Sequence, residues 1–114
     1  MVVAVRGLWF AAVLFAASAS AGGIALAQDT TLQISIQNGH FQPSELRAPV
    51  NVPIVIVIKN NDAKPAEFES SSLKVEKVIP AKGQVSVRIR PLGPGRYDFY
   101  DDFNASNRGT LVIQ

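Results

Sequence analysis

From Val52 to Ile58 the chain reads Val-Pro-Ile-Val-Ile-Val-Ile. Six of those seven residues are β-branched, stiff in a helix and well suited to a pleated surface. The run has no polar alternate, so it predicts a strand buried on both faces or close to it. Its neighbours follow the period of two. Thr31 to Ile36 alternates cleanly, and so does Val85 to Arg90, which places Arg88 and Arg90 on the solvent face with their stems over apolar surface. Leu73 to Ile79 is a further strand candidate, and Glu45 to Ala48 a short edge segment, because Pro43 just before it argues against a central strand. Turns separate these pieces: Asn38-Gly39, Lys59 to Asp62, Ala81 to Gln84 and Pro91 to Gly95. No part of the chain after residue 27 holds a helical period beyond about two turns. Six or seven short strands of this kind predict an all-β sandwich or barrel.

The first 27 residues differ in kind. Arg6 is their single charge, an apolar run follows from Leu8 to Ala17, and small residues lead to Ala25-Leu26-Ala27, an A-x-A cleavage pattern. The expectation is a secretory signal peptide over 1–27, cut between Ala27 and Gln28, and a single domain over 28–114. Its apolar core is short for a span of about 20 residues, so no membrane span is expected after cleavage, and the expected location is the periplasm. The leader's removal leaves 87 of 114 residues, with ten basic side chains against nine acidic. That balance is no electrostatic footprint for nucleic acid. The chain has no cysteine and one histidine, His40. Disulfides, thiolate metal sites and a cysteine nucleophile are therefore excluded, and no nucleophile–base pair for hydrolysis can be assembled.

The chemistry gathers near the end. Pro94-Gly95 launches Arg96-Tyr97-Asp98-Phe99-Tyr100-Asp101-Asp102, and after a polar loop the chain returns as Arg108 to Ile113. Strand alternation puts Tyr97, Phe99 and Asp101 on one face, so Asp101 enters the end of the sandwich. A carboxylate there is costly unless it is paired or metal-bound. Two carboxylates about 4 Å apart repel by about 4 kcal/mol at an effective dielectric of about 20, which a divalent cation relieves. The candidate metal ligands are Glu67, Asp101 and Asp102, with His40, Glu69 and Tyr100 as weaker candidates. Tyr97 is expected in the core with its hydroxyl on backbone. Hard oxygen donors favour magnesium, calcium, manganese or iron over soft copper.

The order of these signals resembles small cupredoxins. Asn38-Gly39-His40-Phe41-Gln42-Pro43 is similar to their first strand and turn. Asn60-Asn61-Asp62-Ala63-Lys64-Pro65-Ala66-Glu67-Phe68 is similar to the segment that ends a core strand. Pro94-Gly95-Arg96-Tyr97-Asp98-Phe99 and Arg108 to Ile113 resemble the entry to the copper loop and the last strand. The resemblance implies a cupredoxin-like Greek-key β-sandwich of about 6–8 strands. Its copper ligands do not carry over: Ala66 stands at the position of one histidine, Asp101 at that of the cysteine and Asn104 near that of the second histidine.

Within that group the chain is similar to the cupredoxin-like domain of periplasmic iron-uptake proteins. These are the FtrB-type proteins and the N-terminal domain of EfeO-type proteins, whose helical second domain has no counterpart here. The resemblance implies a component of a ferrous iron uptake system, working with a membrane iron permease and other periplasmic components. It would bind iron through carboxylates and support a ferroxidase-like oxidation with a partner before delivery. Copper is the lesser cofactor expectation. The competing readings are a periplasmic copper-binding or delivery protein using His40 and carboxylates, and a metal-free cupredoxin-like interaction domain.

Overall fold

The computed structural model describes residues 29–114. The expected leader and its cleavage point lie outside those residues. Nine strands follow one another: β1 (Thr30–Gln37), β2 (His40–Gln42), β3 (Glu45–Ala48), β4 (Ile54–Asn60), β5 (Ala66–Ser70), β6 (Val75–Ile79), β7 (Gln84–Ile89), β8 (Gly95–Asp101) and β9 (Asn104–Ile113). They form two sheets, ordered β2-β1-β4-β7 and β3-β9-β8-β5-β6. The β1–β4 and β3–β9 pairs are parallel and the others antiparallel. The chain changes sheet repeatedly, as a Greek-key sandwich requires.

The strand Ile54–Asn60 is the centre of the four-stranded sheet, between β1 and β7. One of its faces, Ile54, Ile56, Ile58 and Asn60, is fully buried, while Val55 and Val57 on the other are half-buried. The β-branched run is thus inward on one side and partly covered on the other. Arg88 is exposed between buried Val87 and Ile89, as the alternation predicts.

The two sheets meet over Ile34, Ile36, Ile54, Ile56, Ile58, Leu111 and Ile113, capped by three phenylalanines. Phe68 and Phe99 stack at 4.8 Å between centroids, and Phe41 stands edge-on to Phe99 at 5.1 Å. Such pairs contribute about 0.5–1.5 kcal/mol each beyond the area they bury. Phe99 lies across Gly109, its register partner on β9, so closely that a Cβ there would overlap the ring.

Two strands exceed the sequence expectation. His40–Gln42 is a three-residue strand pairing with β1 across the Asn38-Gly39 turn. Both turn residues have positive φ, 52° and 74°, the backbone of a two-residue hairpin turn. Ala66–Ser70 hides behind two glutamates that give it no apolar alternation on its outward side. The last strand also begins at Asn104, four residues before Arg108, because the polar loop keeps pairing with β8 beyond a register shift at Tyr100/Asp101.

Candidate metal centre

One end of the sandwich is a cleft of about 610 Å³ where the β1–β2 turn, the β4–β5 loop and the β8–β9 turn converge. Its walls are pinned by side chains. Asn60 is completely buried; its Nδ2 donates to the Lys64 carbonyl at 2.7 Å and its Oδ1 accepts the Asp62 N–H at 3.0 Å. The Asp62 carboxylate in turn accepts the N–H groups of Asn38 and Gly39, both at 2.8 Å, which ties the hairpin turn to the loop.

Asp101 ends β8 at the back of this cleft and is 4% exposed. It faces inward because it is the register partner of Phe68, whose ring is in the core. Its Oδ1 accepts two backbone N–H groups, from Glu67 at 2.9 Å and Phe103 at 3.0 Å. The carboxylate therefore closes the β8–β9 turn onto the start of β5. Asn104 lies at the cleft's rim, where its Nδ2 reaches the Gly39 carbonyl at 3.4 Å. Phe103 beside it is 54% exposed. Asn107, 2% exposed, accepts the Phe41 N–H on Oδ1 at 2.8 Å; its Nδ2 is buried without an acceptor among the described residues.

The second gathering of charge lies on the opposite side of the same strands. Ala66 and Phe68 point into the core, so Glu67 and Glu69 point outward from the five-stranded sheet. Glu69 is paired with Glu76 on β6 and with Tyr100 on β8. Ligand atoms from Glu67, Glu69 and Glu76 all lie within 4.8 Å of one another. Glu67 is buried, Glu69 half-buried and Glu76 exposed. Burial pushes the Glu67 carboxyl above its ordinary range, and Glu76, Asp102 and Glu69 push it the same way. Burial also raises Glu69, with Asp102 and Glu76 adding to it and a hydrogen bond from Tyr100 opposing. The Tyr100 phenol is pushed up by burial, Glu69 and Asp102, against the pull of Arg108, whose guanidinium sits 5.5 Å from its ring centre.

The structure thus splits the six candidate residues. Glu67, Glu69 and Tyr100 share the outer face of the sheet, and the Asp102 charge is felt by all three. Asp102 is exposed, and its N–H donates to the Glu67 carbonyl at 2.9 Å. The Asp101 carboxylate meets the backbone N–H of Glu67 and not its side chain, which faces the other way. His40 is exposed on β2 and belongs to neither gathering. Tyr97 is partly buried against the core and donates its hydroxyl to the Gly93 carbonyl at 2.9 Å. Glu76 was not among the candidates. The sequence showed it only as a polar position in Leu73 to Ile79, and the β5–β6 register brings it opposite Glu69.

The model of the cupredoxin-like domain matches residues 7–113 of this chain. The chain belongs to the cupredoxin-like family. An uncharacterized protein of Rickettsia prowazekii (strain Madrid E) is 29% identical over 82 residues, 72% of this chain and 66% of that relative, so the match spans just under two thirds of the relative's length. Solved cupredoxin-like structures share the fold at low identity. The metal binding domain of the Streptococcus pneumoniae Cu(I) exporting P-type ATPase CopA, with Cu(I), has a TM-score of 0.63 at 14% identity, covering 78% of this chain and 98% of that one. The purple cupredoxin of Nitrosopumilus maritimus has 0.57 at 18%, covering 73% and 99%. A reduced Cu(I) amicyanin variant has 0.61 at 15%, covering 76% and 85%.

This chain's donor set differs from that of type 1 copper. Type 1 copper is held by two imidazoles and a thiolate. Here the cleft offers Asp101, Asp62, Asn60 and Asn104, and the sequence contains no cysteine and a single histidine, His40, which does not line the cleft. The oxygens and amides present do not fit a blue-copper ion.

Proposed function

We propose that the protein is the periplasmic cupredoxin-like component of a ferrous iron uptake system. In this reading it binds iron through carboxylates and hands it to a membrane permease. The observation that carries the proposal is the donor chemistry. A fold whose relatives include copper proteins here presents an aspartate in the metal corner and a group of glutamates on the adjoining sheet, with no cysteine in the chain. Hard anionic oxygens suit iron and bind the ferric ion more strongly than the ferrous one. A site built from them lowers the iron couple and eases oxidation, with the electron passing to an acceptor on a partner component.

Two features support this reading: the carboxylates of Glu67, Glu69 and Glu76 lie close together on one face, and buried Asp101 anchors the start of β5 through the Glu67 N–H. The copper-delivery reading rests on the Cu(I)-bound structures that share the fold. Partition of Fe(II) and Cu(I) on the protein under anaerobic conditions separates the two. Preferential retention of Fe(II) supports iron handling; preferential retention of Cu(I) overturns it.

A further inference from the structure

We propose that the cleft at the end of the sandwich binds a small organic cation, an alkylammonium whose head meets Asp101 and whose stem lies on the cleft's apolar walls. The site is separate from the glutamates of the iron reading, which point outward on the other side of the sheet.

The first observation is an unused acceptor. Asp101 is 4% exposed, and both of its backbone partners, the N–H groups of Glu67 and Phe103, sit on one oxygen, Oδ1. No donor among the described residues reaches Oδ2. That oxygen is not sealed in the core either: among the described residues, the fully enclosed side-chain polar atom without a partner is Asn107 Nδ2. Asp101 lines the cleft, so its second oxygen opens there. The three ion pairs among the described residues lie elsewhere. A carboxylate set this deep is costly without a cation or a further donor, and the cleft is where one can reach it.

The second is the size and lining of the cleft. Its volume of about 610 Å³ falls within the roughly 300–1,000 Å³ of small-ligand sites. Two aspartates, Asp62 and Asp101, stand against one lysine, the exposed Lys64, which leaves the cleft with a net negative charge. Pro65, Ala66 and Phe103 add apolar surface beside those charges.

The acceptors present decide the kind of cation. The amide oxygens of Asn60 and Asn104 are engaged by the Asp62 N–H and the Ser106 hydroxyl, and each Asp62 oxygen already takes an N–H. A metal ion finds one carboxylate oxygen free of partners, against the roughly six or more ligands that hard cations take. An ammonium needs less: one charge-assisted hydrogen bond to Oδ2, with its other donors left for the remaining lone pairs of Asp62 or for water. A guanidinium fits less well, because its fork asks for both oxygens of one carboxylate and Oδ1 is taken.

The test is titration of the purified protein with n-pentylammonium, methylammonium and n-pentanol, followed by amide NMR. Pentylammonium binds one-to-one and shifts the amides of Glu67 and Phe103, the two that Asp101 holds. Pentanol, with the same stem and no charge, binds at least about ten-fold more weakly, the loss of one hydrogen bond to a charged acceptor. Methylammonium also binds more weakly, by roughly two- to four-fold for each methylene removed. Mg(II) does not displace pentylammonium. Asp101→Asn keeps an oxygen for the two N–H groups and removes the charge, and pentylammonium then binds it no better than pentanol does. Equal affinity of the wild type for pentylammonium and pentanol, or for pentylammonium and methylammonium, overturns the site. So does displacement by Mg(II), wild-type affinity for pentylammonium in Asp101→Asn, or no binding of pentylammonium to the wild type.

Discussion

Replacing Asp101 by alanine removes the acceptor of two backbone N–H groups, at 2.9 and 3.0 Å, in a position 4% exposed. Hydrogen bonds to a charged acceptor contribute about 1.5–3 kcal/mol each. The two share one oxygen, so they do not simply double, but the Glu67 N–H is left buried and unpaired. The expected cost is about 3 kcal/mol. A domain of this size loses roughly 4–8 °C per kcal/mol, so the midpoint should fall by roughly 12–24 °C. Asp101→Asn keeps an oxygen facing both donors and loses only the charge, for a cost of about 1 kcal/mol. Urea and thermal unfolding of the metal-free protein measure both. If Asp101→Ala stays within about 0.5 kcal/mol of wild type, an effect typical of a featureless surface position, then Asp101 does not anchor the β5–β8–β9 corner, and the reasoning is wrong.

Other consequences follow from the same structure. Gly109→Ala drives a methyl into the Phe99 ring and against the Ser44 carbonyl, which costs about 1–3 kcal/mol by overpacking; chemical denaturation should show it. Asn60→Ala strands the Asp62 N–H and the Lys64 carbonyl at the loop wall and costs about 1–3 kcal/mol, with faster amide exchange at Asn38 and Gly39 as the local readout. The raised carboxyls of Glu67 and Glu69 set a pH dependence. A group whose folded pKa exceeds its unfolded value gives stability that is full below the unfolded value and lost as pH rises through the folded one. Metal-free protein should therefore gain stability from these two groups as pH falls from neutral toward the ordinary glutamate range. Glu76, Asp102, Tyr100 and Arg108 face them. The gain should be smaller in Glu67→Gln when urea midpoints are compared across pH.

The sandwich was legible because its buried strands carry period-two apolar signals: Thr31 to Ile36 falls within β1, most of the Val52 to Ile58 run falls on β4, which starts at Ile54, and Val85 to Arg90 falls on β7 up to Ile89. Asp101 was legible as an inward acid from alternation with Tyr97 and Phe99. Its company was not. Alternation along one strand says which face a residue takes, and cross-strand register says which residues share that face. The Asp101 carboxylate accepts the Glu67 backbone N–H, yet the two carboxylates lie on opposite sides of the sheet. Glu76 escaped notice for the same reason, since only the β5–β6 pairing brings it to Glu69. Strand Ala66–Ser70 was obscured because its outward residues are the two acids that make the outer face distinctive.

The central claim is that this cupredoxin-like fold handles iron with hard oxygen donors. Its most direct test is competition between Fe(II) and Cu(I) for the purified protein under anaerobic, reducing conditions, followed by the metal content of the protein after removal of loosely held ions. Carboxylates hold Fe(II) and have little affinity for soft Cu(I). The expected outcome is protein that retains Fe(II) and gives up Cu(I). Protein that retains Cu(I) and releases Fe(II) would contradict it.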